Sequence, residues 1–156
     1  MDNKIKKIGT LAEISARIRS KKMKVVFTNG CFDILHLGHV EYLRKAKKLG
    51  DILIVGLNGD LSVKKLKGDS RPINKENDRA KVLEALQCVD YITIFNEDTP
   101  EKIIKKIKPD VLVKGGDWKV KDIAGGDFVA NSGGRVIAIP FVKGYSTTRL
   151  IERISR

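Results

Sequence analysis

Only two histidines occur in the chain, and both fall within His36-Leu37-Gly38-His39. Just before them, the β-branched and aromatic run Val25-Val26-Phe27-Thr28 stops at Asn29-Gly30-Cys31-Phe32-Asp33. This order reads as strand, tight loop and helix start. The unpaired amides of a helix N-terminus and the positive end of its dipole attract an anion. Two imidazoles three residues apart share a helical face and can meet one group. Gly38 between them leaves the backbone bare, so a phosphate can approach closely. Zinc is the other use of paired histidines, but it needs a third ligand and favours i, i+4 spacing. The loop lacks G-x-x-x-x-G-K-[ST] and G-x-G-x-x-G, which argues against a P-loop ATPase and an ordinary dinucleotide dehydrogenase.

The elements that must position this stretch follow from periodicity. Thr10-Leu11-Ala12-Glu13 reads as a capping box opening a first helix, with Leu11, Ile14 and Ile18 inward. The first strand spans Lys24 to Thr28, and the histidine-bearing helix runs to about Lys48, followed by Gly50. Asp51 to Leu57 is almost wholly apolar, as in a strand covered on both faces. A short helix through Val63 and Leu66 leads to the polar loop Lys67 to Pro72, and Asn74 is placed to cap the next helix. Tyr91–Phe95 is a third strand. Thr99-Pro100-Glu101 then reads as cap, first helical position and acid, in a helix that ends before Pro109. Val111-Leu112-Val113 is the fourth strand, running into Lys114-Gly115-Gly116-Asp117. One helix is expected from Val120 to Asn131, a fifth strand from Arg135 to Ile139, and a last helix capped by Ser146.

Strands alternating with helices predict βαβ units and a parallel sheet. Ligands of such sheets bind beyond the strand carboxyl ends, at the switch in strand order. That rule sets the loops after strands one and four side by side.

Size and composition fit one domain over residues 1–156, with 42% apolar residues. No apolar run approaches the ~20 residues needed to span a bilayer, and no signal peptide is visible. A cytoplasmic location without membrane contact is the expectation. Cys31 and Cys88 fit reduced thiols. The net charge of +12 suits nucleic acid, an anionic small substrate or simply a solvated lysine-rich surface. The lysines are spread over many helices, aromatics are sparse, and no nucleic-acid-binding signature occurs. A small anionic substrate is therefore the expected partner, with a nucleic-acid-binding module as the reading outside enzymes.

Gly30-Cys31-Phe32-Asp33 with His36-x-Gly-His39 resembles the signature of nucleotidyltransferases that activate small phosphorylated compounds with ATP or CTP. Gly144-Tyr145-Ser146-Thr147-Thr148-Arg149 resembles their second signature. Between them, Ser62 to Gly68, Arg71 to Asn74, Asp78-Arg79-Ala80 and Val113 to Asp117 are similar to the adenylyltransferase half of the heptose kinase/adenylyltransferases. The resemblance spans about Lys24 to Ile154 and lacks the kinase half, as in a stand-alone adenylyltransferase. It departs at Lys143, a position often acidic in the heptose enzymes.

The resemblance implies a Rossmann-like α/β three-layer sandwich with a five-stranded parallel sheet. It implies transfer of AMP from ATP to D-glycero-D-manno-heptose 1-phosphate, with Mg²⁺ shielding the triphosphate and a homodimer as the assembly. Glycerol-3-phosphate cytidylyltransferase and FAD synthetase are alternatives within the same superfamily. His36, His39 and Lys67 are then the expected catalytic residues. Asn29, Gly30, Cys31, Phe32, Gly38, Lys64, Arg79, Gly115, Gly116, Asp117, Ser146, Thr147 and Thr148 are expected around the nucleotide. Asp33, Arg71 and Lys114 are expected at the sugar phosphate.

Overall fold

Five short runs rich in valine, isoleucine and leucine pair into one parallel sheet in the computed structural model, which describes residues 3–156. The strands are β1 (Val25–Gly30), β2 (Ile52–Asn58), β3 (Tyr91–Phe95), β4 (Val111–Gly115) and β5 (Arg135–Ile139). Their order across the sheet is β3-β2-β1-β4-β5. The helices are α1 (Ile8–Ser20), α2 (Leu37–Lys47), α3 (Asp60–Lys67), α4 (Glu76–Glu84), α5 (Glu101–Ile107), α6 (Gly126–Asn131) and α7 (Thr147–Ile154).

Alternation along the central strand sorts the core into two halves. Val25 and Phe27 join Leu11 and Ile18 of α1, Ile103, Ile104 and Ile107 of α5 and Val129 of α6. Val26 faces the other way, with Tyr42, Leu43 and Ala46 of α2 and Ala80 and Leu83 of α4. Helices therefore cover both faces of the sheet, giving three layers. This is the sandwich expected from the resemblance. No described helix is long and apolar enough to cross a membrane.

Register decides where the site lies. Val26, Phe27 and Thr28 of β1 pair with Val111, Leu112 and Val113 of β4, while the other edge of β1 pairs with β2. Strand order reverses between β1 and β4, so their carboxyl-end loops are neighbours. β1 runs to Gly30, two residues beyond its expected end, because Asn29 and Gly30 pair with Gly56 and Leu57.

Local expectations fail where tertiary contacts intervene. α1 starts at Ile8 with Lys7 as its N-cap, so Thr10-Leu11-Ala12-Glu13 lies inside the helix. The preceding segment docks beside β3: Ile92 N donates to Lys4 O, and Lys6 N donates to Ile92 O. α5 takes Pro100 as its N-cap, one position later than expected. The helix expected over Val120–Asn131 splits into a 3₁₀ turn (Val120–Asp122) and α6. The break falls at Gly125, whose φ of +79° suits glycine and whose vacant Cβ position is 2.6 Å from Ile104 Cδ1. α4 begins at Glu76 after Lys75, so Asn74 does not cap it.

Candidate active site

β1 delivers its loop to the mouth of a cavity of about 470 Å³ at the β1/β4 switch. Asn29, Gly30, Cys31, Phe32, Asp33, His36, Gly38 and His39 line one side. Lys67 from the end of α3 and Arg71 from the following loop reach it, as do Lys114 and Gly115 from the end of β4. Ser146, Thr147 and Thr148 contribute the start of α7. The two signatures, more than a hundred residues apart, thus share one cavity.

The histidines are arranged before any ligand arrives. Their rings stack with centroids 3.8 Å apart. His36 N–H donates to His39 Nδ1 at 3.3 Å. An Nδ1 that accepts leaves the proton of a neutral imidazole on Nε2. His36 Nδ1 is buried without a hydrogen-bond partner among the described residues. Burial, then the adjacent His36, pulls the His39 pKa down to about 4, against a smaller opposing pull from Asp33. Burial also lowers His36. At neutral pH the site therefore holds neutral imidazoles, in hydrogen-bonding order but uncharged.

A consequence is testable. A bound polyphosphate favours the imidazolium, so the His39 pKa rises on binding. Between about 4 and the bound value, the complex holds more protons than its separated parts. If the ATP that the resemblance implies binds beside His39, its binding should take up protons at about pH 5–6.5 and tighten as pH falls through that window. Calorimetry in buffers of different ionisation enthalpy reads the uptake directly, and a buffer-independent binding heat would overturn this.

Gly38 has a steric job besides the one expected. A Cβ there would lie 2.9 Å from His36 Cε1 and 3.0 Å from Tyr145 Cβ. Its missing side chain makes room for the His36 ring and for Tyr145 as well as for a ligand. Gly115 and Gly116 likewise seat the Phe141 ring, 2.9 and 3.0 Å from their vacant Cβ positions. Trp118, Phe141, Val142 and Tyr145 line the cavity and were absent from the expected set. Phe141 is 69% and Tyr145 45% exposed. Only their places in the loops beside Lys114-Gly115-Gly116-Asp117 and Gly144 to Arg149 could have pointed to them. Tyr42 also lines the cavity, its hydroxyl paired with Thr28 beneath the floor.

At α7, Ser146 caps the helix as expected: its Oγ accepts from Arg149 N at 3.1 Å. Thr147 Oγ1 donates to Asp33 O at 2.9 Å, which ties the helix start to the β1 loop. Burial raises the Cys31 thiol, with Lys67, Arg79, Arg71 and Lys114 pulling back, and the net upward shift keeps it protonated. Burial lowers the Lys114 pKa, Cys31 opposes this, and Lys67 adds to it. Lys114 Nζ lies 5.6 Å from the Trp118 ring centre.

Two of the expected contacts are engaged by the protein itself. Arg79 does not face the cavity; it is 2% exposed. Its Nε donates to Asn74 O, its Nη1 to Cys31 O and Asn58 O, and its Nη2 to Asp60. Four of the five guanidinium N–H groups are spent on three carbonyls and the Asp60 carboxylate, and burial keeps the head group from the cavity. Asp33 borders the cavity, but its carboxylate accepts from Arg71 Nε, Ile73 N and Asn74 N. Burial would raise its pKa; the amides of Asn74 and Ile73 and the Arg71 guanidinium outweigh that and hold it below the ordinary value. Lys64, Gly116 and Asp117 are not among the lining residues. Lys64 is exposed and pairs with Asp69 at 3.3 Å, and Gly116 N closes onto Ile139 O.

A model of the cytidylyltransferase-like family matches residues 27–153. The bifunctional protein HldE of Citrifermentans bemidjiense is 56% identical over 153 residues, 98% of this chain and 31% of that protein. HldE of Campylobacter concisus is 58% identical over 153 residues, with the same coverage. The chain thus spans 31% of the length of these curated relatives. A solved lipopolysaccharide core biosynthesis protein from Thermoplasma volcanium superposes with a TM-score of 0.62 at 33% identity, over 80% of this chain and 99% of that one. A pantoate-beta-alanine ligase from Francisella tularensis, solved with beta-gamma ATP and beta-alanine, gives a TM-score of 0.61 at 15% identity, over 97% and 76% of the two chains. The latter likeness concerns the fold alone.

Proposed function

This chain belongs to the cytidylyltransferase-like family, and on that footing we propose that it transfers the AMP unit of ATP to D-glycero-D-manno-heptose 1-phosphate. A phosphate oxygen of the sugar attacks the α-phosphorus, the bond from that phosphorus to the α–β bridging oxygen breaks, and ADP-heptose and pyrophosphate form. The observation that carries this reading is the meeting of the histidine pair, three cationic side chains and the α7 start in one cavity.

The nucleophile is already an ionised oxygen, so the site needs no general base. Its work is to hold attacking and leaving oxygens in line and to stabilise charge on the phosphate oxygens. His39 Nε2–H and His36 serve those oxygens as donors. Lys67 is a mobile point charge on the polyphosphate. The Ser146 hydroxyl and the first amides of α7 receive the β- and γ-phosphates that leave. Arg71 and Lys114 hold the acceptor phosphate.

Asp33 is the one carboxylate lining the cavity among the described residues, and its oxygens are already engaged. That donor set suits a Mg²⁺ carried in on the triphosphate, coordinated by phosphate and water, not one held by the protein. Bound in that way, it would shield the triphosphate's charge. A cytoplasmic homodimer completes the reading.

A panel of ATP and CTP against heptose 1-phosphate, glycerol 3-phosphate and FMN, read by pyrophosphate release, tests it. Turnover is expected with ATP and heptose 1-phosphate. Turnover confined to CTP with glycerol 3-phosphate, or to ATP with FMN, would replace the acceptor assignment. Salt-sensitive DNA binding with no turnover would replace the enzyme reading.

A further inference from the structure

Asp33 belongs to the β1 loop, yet every partner of its carboxylate lies about forty residues later. Oδ2 accepts from Arg71 Nε at 2.8 Å and from Ile73 N at 2.7 Å, and Oδ1 accepts from Asn74 N at 3.0 Å. The Asp33 side chain is fully buried and that of Arg71 is 12% exposed. A buried carboxylate is tolerable only when its lone pairs are met, and here three donors meet them. Asp33 thus ties the 71–74 segment to the β1 loop, and Arg79 Nε holds the same segment from the other side through Asn74 O.

Arg71 is held by one edge only. Its Nε is committed to Asp33, whereas Nη1 and Nη2 have no protein acceptor among the described residues, and the side chain lines the cavity. A guanidinium fixed through Nε presents the rest of its fork as a preorganised pair of donors. That geometry fits two oxygens of a phosphate. Meanwhile the Asp33 carbonyl accepts from Thr147 Oγ1, at the start of α7. One residue therefore touches the arginine of one phosphate site through its side chain and the helix start of another through its backbone.

We propose that Asp33 is a positioning residue that aims Arg71 at the phosphate of the acceptor and joins that subsite to the α7 phosphate end, so that only a phosphorylated acceptor is aligned for attack. This rests on the nucleotidyl-transfer reading given above. Asp33 touches neither substrate; it acts through Arg71 and Thr147. Loss of the pair costs acceptor recognition first, and misalignment across the two subsites follows when Asp33 moves.

The experiment is steady-state pyrophosphate release by the full chain, varying the sugar phosphate at saturating ATP and the reverse. Arg71→Gln should raise KM for the sugar phosphate roughly 10–100-fold, the worth of a charge-assisted phosphate contact, and change KM for ATP less than about threefold. Asp33→Asn should raise acceptor KM to the same extent. The double variant should be no worse in acceptor KM than Arg71→Gln alone, since the pair acts as a unit. Thr147→Val, which keeps the buried Asp33 carboxylate, should lower kcat with little change in acceptor KM. It also serves where Asp33→Asn folds poorly, with thermal melts of all variants reporting that. Unchanged acceptor KM in Arg71→Gln, or additive effects in the double variant, overturns the proposal. Wild-type turnover of another phosphorylated acceptor displaces heptose but leaves the same comparison to be made with that acceptor. Efficient turnover of an unphosphorylated acceptor overturns the proposal while sparing nucleotidyl transfer, and no turnover with any acceptor overturns both.

Discussion

His39→Ala should lower kcat for pyrophosphate release by roughly 10²–10³-fold, the usual cost of losing one preorganised donor to a charge-bearing oxygen. KM for either substrate should move far less, because the lost interaction strengthens as charge shifts onto the phosphate oxygens. Three facts single out this ring. His36 N–H fixes its tautomer through Nδ1. The His36 ring stacks on one side of it. Phe32 meets it edge-on, with centroids 5.4 Å apart. A side chain held on several sides loses little entropy when it meets the transition state. His39→Gln, which can offer an amide N–H near the same place, should recover part of the loss. Rapid-quench measurement of the chemical step settles the matter, and a fall of less than about fivefold would remove His39 from the reaction.

Arg79→Ala should have the largest effect on stability. Truncation orphans the carbonyls of Cys31, Asn58 and Asn74 and leaves Asp60 without its partner. The Asp60 carboxylate left behind is 36% exposed and rehydrates, so the cost falls on the orphaned carbonyls, about 1–3 kcal/mol for each that stays buried. Denaturant midpoints with unchanged slope would measure it. Arg79→Lys should recover only part, since one ammonium cannot span acceptors on three segments. Those segments are the β1 loop, the end of β2 and the loop that carries Arg71, so surviving Arg79→Ala protein should also have a disordered site. Native stability combined with a raised KM for ATP alone would instead restore Arg79 as a nucleotide contact.

Arg79 shows why some of the site escaped sequence reasoning. A charged residue on a short helix is ordinarily solvated, and nothing in Asp78-Arg79-Ala80 signals four acceptors arriving from elsewhere. Asp33 is a similar case: the resemblance set it at the sugar phosphate, whereas the partners of its carboxylate come from residues 71–74. The aromatic wall of Trp118, Phe141 and Tyr145 went unread because aromatic residues in loops carry no periodicity. The Ser146 cap, by contrast, was legible, since its acceptor and donor lie three residues apart.

From the amino-acid order alone came what depends on near neighbours. This comprises the five strands from their apolar runs, the helices from their 3.6-residue pattern, the histidine pair at a helix start, and the parallel sheet with its two adjacent loops. Such features follow from backbone periodicity and from burial of one face, which each segment encodes for itself. Tertiary structure decided which polar side chains serve a ligand and which serve the protein. Arg79 reaches Cys31 across 48 positions, and Thr147 reaches Asp33 across 114. A buried charge takes the partners that the fold brings to it, and the cost of leaving it unpaired selects them.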